Sequence, residues 1–319
     1  MSSHFGAHGR QSASKDPQSG RCVLVTGATG FIGVPLMTSL RAQGWHSIAL
    51  VRDYARARML LGPEVELIRN LGELGPDTPI DAIINLAGAG IADKAWSKNR
   101  KKELLESRLL TTRAVVHLIQ RLSRKPSHLL SASAIGFYGA SDAQPLNESA
   151  AAGEGFSHEL CKRWEEEARK AEVTGIAVTL MRLGVVLAAD GGMLGRLLPV
   201  FRLGLGGRTG SGQQYLSWIH RNDAIAAMLW LLEHPLSGVV NLTAPHAVTN
   251  AAFSAALAAQ LHRPAIFAQP EVIVRAIFGE MGEELLLSGQ NVVPARLQDQ
   301  GFQFSYPHIQ LALEAELAR

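Results

Sequence analysis

The sequence predicts an α/β fold in which a doubly wound parallel sheet is followed by a smaller, mainly helical C-terminal lobe. From Cys22 onward, short apolar runs alternate with longer helical stretches, which is the pattern of a parallel sheet wrapped by helices. Most of these runs show no alternation of polar and apolar residues, which suits strands that are buried on both faces. The glycine-rich run TGATGFIG (26–33) directly follows the first apolar run. Together these observations favour a Rossmann-type sheet.

The individual elements follow from the same patterns. In the second half of the chain, helices are predicted near 192–201 and 222–233, with a glycine-rich loop between them. Helices dominate after about residue 249. The predicted helices of the first half lie near 31–43, 98–122 and 157–171, and the last has a serine at its start and early glutamates, as capping favours. The predicted strands are 22–26, 47–51, 65–68, 82–87, 128–133 and 176–182.

This order of elements predicts the domain organisation. Residues 21–190 are expected to form a nucleotide-binding Rossmann domain. Residues 191–319 are expected to form a substrate-binding lobe that returns one or two strands to the sheet. Residues 1–20 are polar, rich in Gly and Ser, and lack a hydrophobic segment, so we expect a disordered leader rather than a signal peptide.

The composition narrows the classes of partner. The net charge is +3 and no long Lys/Arg block occurs, so nucleic acid is not the expected partner. No uncharged apolar run reaches the roughly 18 residues that a membrane span requires. Cys22 and Cys161 lie far apart and have no metal-binding spacing, so no metal site and no disulfide framework are predicted. A reducing compartment, and therefore the cytoplasm, is the simplest location.

The glycine run predicts a nucleotide site. Gly27 and Gly30 have no side chains, so the backbone can turn tightly and approach a diphosphate, while Gly33 lets the following helix pack closely on the strand. The helix N-terminus then faces the anion. The predicted cofactor contacts in this turn are Gly27, Thr29, Gly30, Phe31, Ile32 and Gly33.

The motif TGATGFIG resembles the start of the extended short-chain dehydrogenase/reductase superfamily. More narrowly, the chain is similar to an atypical, YfcH-like group of epimerase family proteins, also described as NAD-dependent epimerase/dehydratase-like, whose members have no commonly assigned substrate. The resemblance implies that the segment Leu86, Ala87 and Gly88 covers the cofactor, and that a homodimer forms through helices 98–122 and 157–171. It also implies that residues from about 249 to 319 form a family-specific C-terminal segment. The narrower match rests on SASAIGFYG (131–139), LCKRWEEEA (160–168), RLGVVLAADGGMLG (182–195), FRLGLGGRTGSGQQYLSWIHRND (201–223) and LSGQNVVPARLQDQGFQFSYP (287–307).

The end of the second strand predicts which cofactor is bound. A carboxylate there accepts from the ribose 2′-OH of NAD and repels the 2′-phosphate of NADP, whereas an arginine does the reverse. Arg52 aligns with the selecting position, so NADP(H) is predicted, and the adjacent Asp53 keeps NAD as an alternative. Arg56 and Arg58 are expected on the next loop.

The resemblance also implies a catalytic set. Superfamily dehydrogenases pair a Ser or Thr after the fifth strand with Tyr-x-x-x-Lys on the next helix, where the ammonium lowers the phenol pKa. Ser133 matches the serine, but His158 stands where the tyrosine is expected, with Lys162 four residues later. Tyr138 is a second source of a hydroxyl. The plainer alternatives are a buried serine, an exposed His/Lys stripe and a tyrosine in the cleft wall.

The same resemblance and the local chemistry indicate further candidate residues for ligand binding and helix capping. Arg182 and Arg208 are candidate anion contacts, and Asp223 is a candidate N-cap for the helix that follows it. The segment that borders the substrate or the cofactor in extended relatives would include Gln213, Trp218 and His220.

Two functions are consistent with these residues. The first is an NADP(H)-dependent oxidoreductase that acts on a small polar or carbonyl substrate. The alternative is a non-catalytic NADP(H)-binding sensor or partner-binding protein that has lost the tyrosine. A sugar-nucleotide epimerase ranks last, because no diagnostic sugar-nucleotide pocket is evident in the sequence.

Overall fold

The computed structural model of the chain describes residues 20–141 and 143–318. The predicted leader therefore lies almost entirely outside the described residues. No helix within the described ranges is long and apolar enough to cross a membrane.

A seven-stranded sheet forms the centre of the molecule, and all its neighbouring strands are parallel. This arrangement confirms the predicted fold class. The order across the sheet reverses direction at the first strand, so two crossover connections leave from the middle of the sheet in opposite directions. In spatial order the strands are β10 (Gly238–Leu242), β6 (Ala177–Leu183), β5 (His128–Ala134), β4 (Ala82–Asn85), β1 (Cys22–Thr26), β2 (His46–Leu50) and β3 (Glu66–Ile68).

Helices cover both faces of this sheet. Along β1, Val23 and Val25 pack into one core and Leu24 into the other, because successive strand side chains point to opposite faces. Both faces are therefore apolar, as the continuous apolar runs predicted. The helices in chain order are α1 (Gly33–Ala42), α2 (Tyr54–Leu61), α3 (Lys98–Arg121), α4 (Phe156–Arg169), α5 (Gly192–Arg202), α6 (Arg221–Glu233), α7 (Asn250–Gln260), α8 (Glu271–Gly282), α9 (Ala295–Asp299) and α10 (Ile309–Leu317).

The second half of the chain adds a separate apolar cluster beside the sheet. This cluster is built around Trp218 and Phe253, both almost completely buried. Strand β10 returns to the edge of the main sheet beside β6. The division between a Rossmann domain and a substrate lobe near residue 190 stays a prediction. The remaining short strands pair outside the main sheet: β7 (Val185–Ala188) with β9 (Trp218–His220), and β8 (Tyr215–Leu216) with β11 (Val248–Thr249).

Two local predictions were wrong. The segment that carries Arg56 and Arg58 is helix α2 rather than a loop, and Asp53 caps it by accepting a hydrogen bond from the Arg56 amide at 3.0 Å. Asp223 does not cap α6, because its carboxylate accepts the backbone amides of Ser305 and Tyr306 at 3.0 and 2.9 Å. His220 is the N-cap of α6 instead.

The first residue of α1 is packed against the turn that ends β1. A Cβ added to Gly33 would lie 2.2 Å from the carbonyl oxygen of Gly27 and 2.7 Å from Cα of Ala28. These neighbours are backbone atoms that no side-chain rotation can move away. A glycine at position 33 is therefore required for α1 to start this close to the strand.

We predict that Gly33→Ala destabilises the fold by about 1–3 kcal/mol, the usual range for overpacking a tight contact. Gly75→Ala is the matched control, because no heavy atom lies within 4 Å of a Cβ placed there. Its effect should stay within about 0.5 kcal/mol. Urea unfolding of both variants measures the difference, and equal stabilities would contradict the packing argument.

Candidate functional site

The glycine turn leaves the N-terminus of α1 open to a ligand. Gly27 adopts a φ of +72°, and the Gly30 amide closes the turn by donating to the Gly27 carbonyl at 3.0 Å. In the described structure the N-cap residue of α1, Ile32, makes no side-chain hydrogen bond to the first amides of the helix, and the first turn of α1 holds no acidic residue. Free amides and the positive end of the helix dipole therefore meet at this edge of the sheet, an arrangement that favours an anion.

The end of β4 lies directly beside this turn. A Cβ on Gly27 would lie 2.8 Å from the carbonyl carbon of Leu86, so the two backbone segments touch. The Ala87 amide donates to Oγ1 of Thr26 at 3.1 Å, which ties the two strand ends together. The structure thus brings the predicted cofactor residues of the glycine turn next to the segment Leu86, Ala87 and Gly88, in which Gly88 is exposed.

A buried polar network holds these strand ends in place. The Thr26 hydroxyl donates to Oδ1 of Asn85 at 2.7 Å. Nδ2 of Asn85 donates to Oγ1 of Thr112 at 2.9 Å and to Oγ of Ser131 at 3.2 Å. All four side chains are fully buried, so the network connects β1, β4, β5 and α3 without water.

The charged residues after β2 have different partners. Asp53 is engaged as the cap of α2, and Arg58 folds back onto the carbonyl oxygens of Gly62 and Val65 at 2.8 and 3.0 Å. Arg52 is exposed at the carboxyl end of β2, and in the described part of the chain it forms no hydrogen bond and no ion pair. Arg52 is therefore the cation at this edge whose guanidinium is available to a ligand.

His158 lies in the first turn of α4 and is half-buried. Its Nδ1 is 2.8 Å from the carbonyl oxygen of Phe137. Because a carbonyl only accepts, Nδ1 carries the proton, and Nε2 of the neutral ring is left as an acceptor. Lys162 is exposed, and among the described residues no ion pair or hydrogen bond links it to His158.

Ser133 is held in a buried network rather than presented to a cleft. Its hydroxyl donates to Oε1 of Glu165 at 2.7 Å. Glu165 also accepts a bidentate pair from Arg182, with Nε and Nη2 at 2.8 and 2.9 Å. All three side chains are buried. Arg182 is thus neutralised within the protein, and the interpretation of this arginine as an anion contact was wrong.

Tyr138 is also committed to a partner inside the protein. Its hydroxyl donates to Oδ1 of Asn241 on β10 at 2.7 Å, and the side chain is 3% exposed. Burial raises the pKa of Tyr138, although Arg182 and Asn241 act in the opposite direction. The phenol is therefore protonated at neutral pH, and its hydrogen bond joins the segment after β5 to the sheet edge.

In the segment 213–220, Trp218 and His220 are buried in the core rather than exposed at a cleft. Trp218 is fully buried and donates from Nε1 to the His246 carbonyl at 3.0 Å. His220 accepts the Asn222 amide at Nδ1, so the proton is on Nε2, which donates to Oε1 of Glu316 at 2.9 Å. Gln213 is exposed.

Arg208, the other candidate anion contact, is exposed in the glycine-rich loop between α5 and β8. Its Nη1 donates to the carbonyl oxygen of Ser211 at 3.3 Å. Arg208 therefore stays a candidate anion contact.

Sequence reasoning missed the residue that caps the helix carrying His158. Gly155, the N-cap of α4, has no side chain, and the Glu284 carboxylate takes its place by accepting the amides of Phe156 and Ser157, each at 2.8 Å. A C-terminal residue thus fixes the start of α4 and with it the position of His158. A glycine N-cap before a long amphipathic helix signals that a distant cap is needed, but it does not identify that cap.

The network around Ser133 gives a prediction. Glu165→Ala should destabilise the protein by about 3–5 kcal/mol, because it leaves the buried Arg182 without its carboxylate. Ser133→Ala removes one hydrogen bond and should cost about 1 kcal/mol.

The matched control for this prediction is Glu172→Ala, which removes a largely exposed partner of Arg169 and should cost less than about 1 kcal/mol. Guanidinium unfolding of the three variants provides the comparison. Equal effects of Glu165→Ala and Glu172→Ala would contradict the role assigned to the buried pair.

Comparisons with known proteins match nearly the whole described chain. The model of the NAD dependent epimerase/dehydratase family matches residues 23–243, and a domain of unknown function (DUF1731) matches residues 269–316. The epimerase family protein MT2273 of Mycobacterium tuberculosis is 40% identical over 91% of this chain and 96% of that protein. The mouse epimerase family protein SDR39U1 is 38% identical over 93% of this chain and 99% of that protein. The resemblance identified from the motifs is therefore confirmed.

A solved structure matches to the same extent. The crystal structure of human epimerase family protein SDR39U1 (isoform 2) with NADPH superposes with a TM-score of 0.84 and 34% identity, covering 93% of this chain and 99% of that one. Within residues 20–141 and 143–318, no cluster of three or more His, Cys, Asp or Glu residues is placed to hold a metal ion.

Proposed function

Because the chain belongs to the NAD dependent epimerase/dehydratase family, we propose that it is an NADP(H)-binding oxidoreductase acting on a small molecule. The observation that carries the proposal is the open N-terminus of α1 beside the Leu86–Gly88 segment. The human relative with the same fold was crystallised with NADPH.

The residues present fit NADP(H). The diphosphate would be held by the amides at the start of α1, where the turn from Gly27 to Gly33 leaves room for it. Arg52 would bind the 2′-phosphate by charge-assisted hydrogen bonds. One oxygen of the Asp53 carboxylate, Oδ1, is engaged as the cap of α2. These assignments favour NADP(H) over NAD.

We assign the proton transfer to His158, because Nε2 of its ring is left as an acceptor, whereas the hydroxyls of Ser133 and Tyr138 already donate inside the protein. The bound cofactor supplies or accepts a hydride, so the substrate oxygen must exchange a proton in the same reaction. Nε2 of the neutral imidazole accepts that proton, and the protonated ring returns it in the reverse direction. The Phe137 carbonyl keeps the proton on Nδ1 and orients the ring for this exchange.

A second function is supported by a different observation. Two of the four groups expected for catalysis are engaged inside the protein, since Ser133 donates to Glu165 and Tyr138 donates to Asn241. A third, Lys162, is exposed. A protein with this arrangement could bind NADP(H) without turning it over and act as a sensor or partner-binding protein. Homodimer formation through α3 and α4 and a cytoplasmic location remain predictions.

Arg52→Ser tests the cofactor assignment. We predict about ten- to hundredfold weaker NADPH binding with little change for NADH, since the lost charged hydrogen bonds reach only the 2′-phosphate. Arg56→Ser, an exposed arginine on α2, is the control and should retain wild-type affinity. Fluorescence titration measures both ligands, and an equal loss for NADH and NADPH would refute the assignment.

His158→Gln tests whether the bound cofactor is used. If the protein is an oxidoreductase, NADPH oxidation with an active member of a panel of carbonyl compounds should fall about 10²–10⁴-fold in this variant, with NADPH affinity unchanged. Glu166→Gln, an exposed residue of the same helix that belongs to no candidate catalytic set, is the control and should retain wild-type activity. Tight NADPH binding by wild-type protein without oxidation across the panel would favour the non-catalytic alternative.

A further inference from the structure

A buried arginine on α3 lacks a carboxylate partner. Arg108 is 9% exposed, and its Nη1 donates only to the Leu104 carbonyl of the same helix at 3.0 Å. Its Nε has no hydrogen-bond partner. Over the described ranges, no Asp or Glu lies within ion-pair distance of this guanidinium, whereas the buried Arg182 pairs with Glu165 and the buried Arg100 with Glu103. Arg108 is therefore a buried cation that the described protein does not neutralise.

The guanidinium of Arg108 lies between the two parts of the proposed site. A Cβ added to the exposed Gly88 would lie 3.1 Å from Cζ of Arg108, so the guanidinium packs directly against the Gly88 backbone. On the other side, Cζ is 5.0 Å from the ring centroid of Trp164. Trp164 belongs to α4, the helix that also carries His158. A ligand that crosses Gly88 toward α4 would pass within reach of this cation.

The energetics favour a charged partner. Burial lowers the pKa of Arg108 to about 10, so the side chain still carries its charge at neutral pH. A buried charge without a counter-ion or a full set of hydrogen bonds is costly. The ring of Trp164 compensates for part of this cost by a cation–π contact, but it leaves Nε unbonded.

We infer that Arg108 is the binding residue for an oxyanion group, a carboxylate or a phosphate, of a ligand that lies over Gly88. The inference rests on the proposed function, because it places the ligand in the same site. Two sources carry this chemistry: an anionic substituent of the substrate, and the diphosphate of the cofactor itself. In either case Arg108 gives the site a preference for anionic ligands.

The experiment measures thermal unfolding of the full-length protein in low-chloride buffer with added inorganic phosphate or acetate. It is run on cofactor-free and on NADPH-saturated protein, with wild type, Arg108→Met and Arg113→Met. Arg113 is the matched control, because it lies on the same helix but is half-exposed and paired with Glu167 at 3.2 Å. An anion that binds the native state raises the midpoint in proportion to its affinity.

Three results are expected. The anions raise the unfolding midpoint of wild type and of Arg113→Met, while Arg108→Met loses roughly ten- to hundredfold in anion affinity. Without anions, Arg108→Met unfolds no earlier than wild type, because removing an unpaired buried charge is neutral or stabilising. A purely structural arginine would instead make Arg108→Met unstable under all conditions.

The cofactor arms distinguish the two sources. A response to anions that depends on Arg108 and persists under NADPH saturation identifies a substrate group. A response that NADPH abolishes, together with weaker NADPH binding by Arg108→Met, identifies the cofactor diphosphate.

The inference would be overturned if the anions raised the unfolding midpoints of wild type and Arg108→Met equally. It would also be overturned if wild type did not respond to the anions and Arg108→Met bound NADPH with unchanged affinity. If Arg108→Met does not fold, Arg108→Lys replaces it and should retain a weaker response to the anions. An Arg108→Lys variant without any response to the anions would also overturn the inference. Normal NADPH binding without an Arg108-dependent response would contradict the anion site alone. Absence of NADPH binding by wild type would contradict the proposed function.

Discussion

The close contact between Gly33 and the Gly27 carbonyl is the constraint on which the rest of the site depends. It lets α1 begin directly at the end of β1, so the positive end of the helix dipole points along the carboxyl edge of the sheet. The buried Thr26–Asn85 hydrogen bond then holds the end of β4 against the same turn. The turn proposed to hold the anion and the Leu86–Gly88 segment are consequently joined by direct contacts.

A second set of contacts fixes the position of α4, the helix that carries His158. Glu284 caps its first amides, the Phe137 carbonyl orients His158 near its start, and Glu165 anchors its middle to Arg182 on β6. These contacts come from three different parts of the chain. His158, the residue proposed to move the proton, is therefore held in a fixed place.

Apolar periodicity was sufficient to predict most of the fold, because buried parallel strands are continuous apolar runs with little ambiguity. Helix α2 is hard to predict because YARARMLL places arginines among its apolar residues. Its N-cap, Asp53, also lies next to the cofactor-selecting position, where a carboxylate has a second interpretation as a ligand of the ribose. The glycine site could be predicted since its residues are adjacent in sequence. The partners of Ser133 and α4, Glu165 and Glu284, could not, because these contacts span 32 and 128 residues. Nothing in the sequence distinguishes Arg108 from the exposed charges of α3, and only packing shows it to be buried.

The most direct test of the account is a crystal structure of the protein with NADPH. The account predicts the diphosphate within hydrogen-bond distance of the amides at the start of α1, the 2′-phosphate beside Arg52, and the ribose–nicotinamide half along Leu86–Gly88. A dinucleotide bound elsewhere, or one whose diphosphate does not contact the turn between β1 and α1, would contradict it.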